Sequence, residues 1–183
     1  MSERPTTIRE ALEKWEKKNE MKATEATEIG LQFQMPPIDK MTMELAALKN
    51  CEKLSLSTNN IDRIILPPLP NLKILALGRN NIKSFAGLDA LADSLEQLWI
   101  SYNSIEKLKG IEVMKKLKVL YMGYNSIKDW NEVSKLAALS KTLTDFNIYG
   151  NPVVQGMEEV FYRPEVIQRL PFLKMLDGEP AIL

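Results

Sequence analysis

The amino-acid sequence predicts an α/β solenoid of about six short repeats, whose strands stack in parallel into one concave sheet between two terminal caps. Three observations predict it. Leu95, Leu98, Ile100, Asn103, Ile105 and Leu108 fall in the spacing L-x-x-L-x-L-x-x-N-x-L-x-x-L, which defines a repeat of one short strand and a turn. That frame recurs: from Leu54 to Leu75, Leu98, Leu120 and Phe146 it advances by 21, 23, 22 and 26 residues. The segments outside the frame, at both ends, carry helical apolar spacing suited to covering the open ends of a stack.

The first element is a helix. Residues 6–18, TTIREALEKWEKK, place Thr7 three residues before Glu10, the pattern of a capping box, and continue with Ile8, Ala11, Leu12 and Trp15 on one face. An exposed first repeat needs such an apolar stripe, so residues 1–27 are expected to form the N-terminal cap. The repeats follow over 28–155. Ile29, Leu31, Gln34, Ile38 and Met41 make a worn first copy, with Gln at the Asn position and Pro36 and Pro37 in its loop. Four regular leucine-rich repeats come next, centred on Leu54, Leu56 and Asn59; Leu75, Leu77 and Asn80; Leu98, Ile100 and Asn103; and Leu120, Met122 and Asn125 with Ile127 and Trp130. Phe146, Ile148, Asn151 and Val153 form the sixth.

In each copy the leucines of L-x-L face inward, and the Asn amide is suited to satisfy backbone donors and acceptors buried where the strand turns away. Asn59, Asn80, Asn103, Asn125 and Asn151 are therefore expected to form a buried ladder. On the convex side PPLP at 67–70 excludes a regular helix, whereas GLDALADS and VSKLAALS suit helical turns. Residues 156–183 are expected to cap the other end, with Val160, Phe161, Val166, Ile167 and Leu170 over the core and a last strand-like LKML.

Composition narrows the function. With 183 residues, 45% hydrophobic, the chain has enough apolar content for one sizeable core. Lys plus Arg and Asp plus Glu both number 24, so no global field draws nucleic acid or an anionic membrane. The single cysteine, Cys51, precludes an intrachain disulfide and suits a reducing compartment. It stands where later copies have Leu72, Leu95 and Leu117, which reads as a buried packing thiol. The apolar runs are short for a bilayer and MSERPTTIRE lacks the core of a secretory signal, so a soluble intracellular protein is expected. The absence of histidine removes the commonest general base and zinc ligand. No P-loop, GxGxxG or GxSxG motif is present, so no cofactor, metal or enzymatic activity is expected.

What remains is the surface that the strands display. The x positions of x-L-x-L alternate away from the core, so they line the concave face. One column reads Gly30, Ser55, Ala76, Trp99, Tyr121, Asn147, and the preceding one Glu28, Lys53, Ile74, Gln97, Val119, Asp145. At the strand exit stand Phe33, Thr58, Arg79, Tyr102, Tyr124 and Gly150, with Tyr149 just before. Trp99, Tyr102, Tyr121, Tyr124 and Tyr149, bordered by Ile74, Val119 and Arg79, are expected to form one protein-binding patch, because Trp, Tyr and Arg most often carry interface energy. Lys53, Ser55, Ser57 and Thr58 are expected to be its rim. Lys107, Lys109, Lys115, Lys116 and Lys118 lie on loops and the outer side; they read first as a solvated face, and second as a contact for an acidic surface such as that of tubulin.

The chain resembles the leucine-rich repeat light chain of axonemal outer-arm dynein. The resemblance is carried by TTIREALEKWEKK, PPIDKM, CEKLSLSTNNIDRI, GRNNIKSFAGLDAL and LEQLWISYNSIEKLKGIEVMKKLKVLYMGYNSIKDWNE, so it covers nearly the whole chain. It implies a non-catalytic subunit of cilia or flagella that binds a dynein heavy chain through the sheet face, with the microtubule-binding stalk tip as the favoured contact. The terminal YRPEVIQRLPFLKMLD also resembles the cap of ribonucleoprotein and phosphatase-regulator repeat proteins, which makes a scaffold of that type the alternative. Two features depart from the dynein pattern or leave it open. The family continues past LDG into a charged segment, whereas this sequence ends at Leu183, and Arg163 and Arg169 lie in a cap where the family has basic residues.

Overall fold

A computed structural model describes residues 3–183; Met1 and Ser2, at the start of the expected N-terminal cap, lie outside the described residues. Seven parallel strands stack in chain order into one sheet: β1 (Glu28–Gly30), β2 (Lys53–Ser55), β3 (Ile74–Ala76), β4 (Gln97–Trp99), β5 (Val119–Tyr121), β6 (Asp145–Asn147) and β7 (Met175–Leu176). An eighth, β8 (Glu179–Pro180), turns back antiparallel on β7. The sequence frame accounts for β1 to β7 but not for this last hairpin.

β2, β4, β5 and β6 each have their central residue buried and their flanks partly exposed, as period-2 alternation requires, and β3 differs only in that its small Ala76 is buried too. Leu54, Leu75, Leu98, Leu120 and Phe146 are paired in register and fully buried. A single core runs the length of the stack behind the sheet. Cys51 is part of it, its thiol donating to the Lys53 carbonyl at 3.2 Å.

The ladder forms. Asn103 Oδ1 accepts from Ile82 N–H at 2.9 Å, while its Nδ2 donates to the Leu77 and Ile100 carbonyls at 2.9 and 3.1 Å. Asn80, Asn125 and Asn151 repeat the arrangement and are buried. Asn59 makes the same bonds but is only half-buried, because it abuts the worn first copy. Beyond Asn151 the role passes to Asp177, whose Oδ1 accepts from Ile148 and Tyr149 N–H and whose Oδ2 accepts from the Tyr162 hydroxyl.

The N-terminal cap is α1 (Ile8–Asn19), started by the reciprocal Thr7 and Glu10 capping box, with Ile8 and Ala11 buried. The convex side is uneven as expected. Loop residues 66–70 bury Leu66, Pro67 and Leu69 without regular structure, 88–91 form a 3₁₀ turn, and α2 (Trp130–Ser134) runs into a further 3₁₀ turn.

Two placements correct the sequence reading. Trp130 does not enter the core as a frame residue: it opens α2, stays half-buried, and lies under the Arg169 guanidinium at 4.8 Å, while Val133 takes the core position. Val160 and Phe161, at the start of α3 (Glu159–Arg169), do not cover the core and are 66% and 63% exposed. The buried face of α3 is Tyr162, Val166 and Ile167, continued by Leu170 at its C-cap, and the two residues before Tyr162 are rotated outward. Arg163 ties this cap together, donating to the Leu176 carbonyl at 2.8 Å and the Pro180 carbonyl at 2.7 Å.

Candidate interaction surface on the concave sheet

Strand register sets the surface. Glu28, Lys53, Ile74, Gln97, Val119 and Asp145 are paired in one row, and Gly30, Ser55, Ala76, Trp99, Tyr121 and Asn147 in the next. A parallel, unslipped stack brings side chains about 23 residues apart in sequence to within one strand spacing, roughly 5 Å.

Trp99 and Tyr121 stack with ring centroids 6.3 Å apart. Neighbouring polar groups fix both rings: Trp99 Nε1 donates to Gln97 Oε1 at 3.1 Å, and the Tyr121 hydroxyl donates to Asp145 Oδ2 at 2.9 Å. Burial, and then that bond to the Asp145 carboxylate, push the Tyr121 phenol above its ordinary range. Ile74 and Val119 flank these rings on β3 and β5, half-buried, with Gln97 between them.

The strand-exit residues make a second row. Phe33, Thr58, Arg79, Tyr102 and Tyr124 all have left-handed backbones, with φ of 49°, 55°, 54°, 58° and 53°. Each donates its N–H to a carbonyl of the next repeat, so the turn that binds repeat to repeat forces this conformation. It also aligns the side chains. Arg79 lies over the Tyr102 ring at 4.1 Å, Tyr102 and Tyr124 stack at 4.5 Å, and Tyr149 meets Tyr124 edge-on at 5.4 Å. Tyr102 and Tyr124 are 40% and 47% exposed, a large offering of ring surface to solvent.

All eight residues singled out from sequence thus share the concave side, in three adjoining rows: Ile74 and Val119, then Trp99 and Tyr121, then Arg79, Tyr102, Tyr124 and Tyr149 at the strand exits. Sequence reasoning missed what holds them. A Cβ at Gly123 would stand 2.6 Å from the Tyr149 ring, and one at Gly150 would stand 2.5 Å from the Tyr124 ring. Those two glycines let the rings lie against bare backbone, and their place beside Tyr124 and Tyr149 in the frame is the signal that could have shown it. Lys53, expected as rim, reaches inward: its Nζ lies 5.1 Å from the Trp99 ring centre and 3.4 Å from Glu28. Ser55, Ser57 and Thr58 border it as expected. The surface offers ring faces, phenol hydroxyls and a few amides, the chemistry of recognition.

The lysines of the outer loops are exposed, and two find partners: Lys118 bonds to Glu96, and Lys107 lies 3.9 Å from the buried carboxylate of Glu132. Burial alone would raise the Glu132 carboxyl, but bonds from Lys135 and from Leu108 N–H outweigh it and hold the group below its usual range.

The leucine-rich repeat family, in its two-copy form, matches residues 93–141. Among solved structures, internalin C2 of Listeria monocytogenes is 26% identical, with a TM-score of 0.57, covering 72% of this chain and 53% of that one. A chain of the SNF/U2A′ complex of Drosophila melanogaster, 21% identical with a TM-score of 0.51, covers 84% of this chain and 73% of its own, and shows the fold alone. Whole-chain similarity is more specific. Dynein axonemal light chain 1 of Chlamydomonas reinhardtii is 50% identical over 181 residues, 96% of this chain and 91% of the relative. The proteins of that name from Danio rerio and Homo sapiens are 56% and 55% identical over 179 residues, 97% of this chain and 93% and 94% of theirs. With half or more of its residues shared along almost its entire length, the chain belongs to the axonemal dynein light chain 1 family, whose place is the axoneme of cilia and flagella.

Proposed function

We propose that this protein is a non-catalytic light chain of axonemal outer-arm dynein that binds a dynein heavy chain, at its microtubule-binding stalk tip, and regulates ciliary or flagellar motility. The observation that carries the reading is the double row of rings, exposed at Tyr102 and Tyr124 and half-buried at Trp99, Tyr121 and Tyr149, on the concave sheet of a chain in this family. Trp99, Tyr121, Tyr102, Tyr124 and Tyr149, with Ile74, Val119 and Arg79, form the contact. The unit that presents them divides into an N-terminal cap over 1–27, repeats over 28–155 and a C-terminal cap over 156–183. The stacked rings are fixed before binding, so little side-chain entropy is lost on association.

Affinity capture from a ciliated-cell lysate with the intact protein tests the reading. Axonemal heavy chain should be recovered, and Trp99→Ala or Tyr121→Ala should weaken binding to its stalk domain by about 2 kcal/mol, roughly thirty-fold, with an unchanged circular dichroism spectrum. Recovery of a phosphatase or a ribonucleoprotein without heavy chain would instead identify a scaffold of those types. Unchanged affinity in both variants would remove the ring rows as the site. The exposed loop lysines, from Lys107 to Lys118, supply a second contact to the acidic surface of tubulin. Cosedimentation with microtubules that persists undiminished at high salt would contradict that contact.

A further inference from the structure

Beside the ring rows the concave sheet falls to its smallest side chains. Gly30, Ser55 and Ala76 occupy on β1, β2 and β3 the row that Trp99 and Tyr121 occupy on β4 and β5. The face therefore has a step the depth of an indole, and at its foot lies a trough of about 300 Å³ walled by Trp99 and flanked by Lys53. A second hollow, about 480 Å³, lies between α1 and the exit of β1, lined by Lys14, Trp15, Lys18 and Phe33. Gly30 and Gln32 line both, so the two hollows adjoin at the exit of β1, where the Gln32 side chain lies over Gly30, and the groove they make up together reaches from Trp99 to Trp15.

Charge and exposure say what the groove takes. Three ammonium groups line it against one carboxylate, Glu28, which Lys53 already neutralises at 3.4 Å. Lys14 and Lys18, one turn apart on the same face of α1, form no ion pair among the described residues. Phe33 holds a ring 66% exposed, an apolar surface whose contact with water costs free energy. The groove thus has apolar walls at its two ends and unmatched positive charge near one. β1 and β4 are three strand spacings apart, roughly 14 Å, which about four to five residues of extended chain cross. Two unpaired lysines are too few to track a phosphate at every nucleotide, so a peptide fits better than a nucleic acid.

We propose that an extended acidic segment of the heavy chain lies in this groove, its carboxylates against Lys14 and Lys18 and its apolar side chains against Trp99 at one end and against Trp15 and Phe33 at the other. The inference rests on the heavy-chain reading above only for the identity of the molecule that supplies the segment.

The intact ¹⁵N-labelled protein can be titrated with a synthetic Glu-rich peptide of about eight residues carrying Leu at both ends. The expected result is shifts at the Gly30, Gln32 and Phe33 amides and the Trp15 indole N–H, and at least about a ten-fold weaker affinity in the Lys14→Glu, Lys18→Glu double variant. Both lysines are exposed, so the variant keeps its fold by circular dichroism, and its affinity for the heavy-chain stalk domain should fall as well. Absent shifts, shifts confined to residues 107–118, equal binding of the peptide with Gln in place of Glu, or equal binding of an oligothymidylate would each overturn the proposal. Stalk capture that depends on Trp99 but not on Lys14 and Lys18 would reject the groove and leave the heavy-chain reading standing. Peptide binding without any stalk capture would reject the heavy chain as the supplier of the segment.

Discussion

Asn103 shows how much a single side chain settles. Its amide oxygen is the one partner of the buried Ile82 N–H, and its Nδ2 serves the Leu77 and Ile100 carbonyls, which it shares with Asn80 and Asn125. Asn103→Ala should therefore lower stability by about 1 to 3 kcal/mol, read as a fall in Tm, without altering the ring rows. Asn59→Ala, at the half-buried end of the ladder, should lose less, because water replaces part of what the amide gives. Gly150 joins stability to function: Gly150→Ala puts a Cβ into the Tyr124 ring on a backbone at φ 72°. It should cost about 1 to 2 kcal/mol and weaken partner binding by displacing the ring. If binding survives intact, Tyr124 is no part of the contact. At this scale the sequence was informative wherever alternation alone sets direction. Trp99, Tyr121, Ile74 and Val119 could be placed on the concave face by counting, since neighbouring strands keep one register. Counting could not place the reach of the Lys53 side chain, nor reveal that the exit residues sit in a left-handed turn, because both depend on the adjacent repeat.

Among the elements, α1 begins as its capping box dictates, and Thr7→Ala should destabilise the molecule by about 1 kcal/mol, seen first as faster hydrogen exchange at the start of that helix. The helices whose positions come from packing were less legible. Val160 and Phe161 repeat the look of the buried pair Val166 and Ile167 but stand on the first turn of α3, which turns them outward, and Tyr162 takes the core position with its hydroxyl on Asp177. Trp130 fits the repeat spacing, yet the turn that begins with it buries Val133 instead. Arg163 clamps the final hairpin through two carbonyls, Leu176 and Pro180. Arg163→Met should leave the repeats folded while the Ala181 amide, bonded to Lys174 O at 2.8 Å, exchanges faster. Unchanged protection there would show that the hairpin stands without the clamp.

Taken whole, the molecule is one stack around a single core, whose buried titratable groups make it sensitive to alkali. Burial pushes the Cys51 thiol up to about 11 from an ordinary value of 9.0. A raised value means that its contribution is complete below about pH 9 and is lost as the pH climbs through about 11, on the order of 2 to 3 kcal/mol. Tyr162, also raised by burial and by Asp177, adds to the loss above the ordinary tyrosine range. Urea unfolding at rising pH should show this decline, and Cys51→Ala should flatten its first part. The overall architecture was readable because it is one unit repeated; the closing hairpin was not, because it occurs once and has no second copy to align with. That hairpin also determines how the protein behaves in a crowded organelle. A stack of parallel strands with an open end invites a neighbour's backbone to continue it, and so to grow into fibres. β8 reverses direction at that end and carries Pro180, which has no N–H to offer a further strand. Copies of the chain brought close together can therefore stay separate molecules.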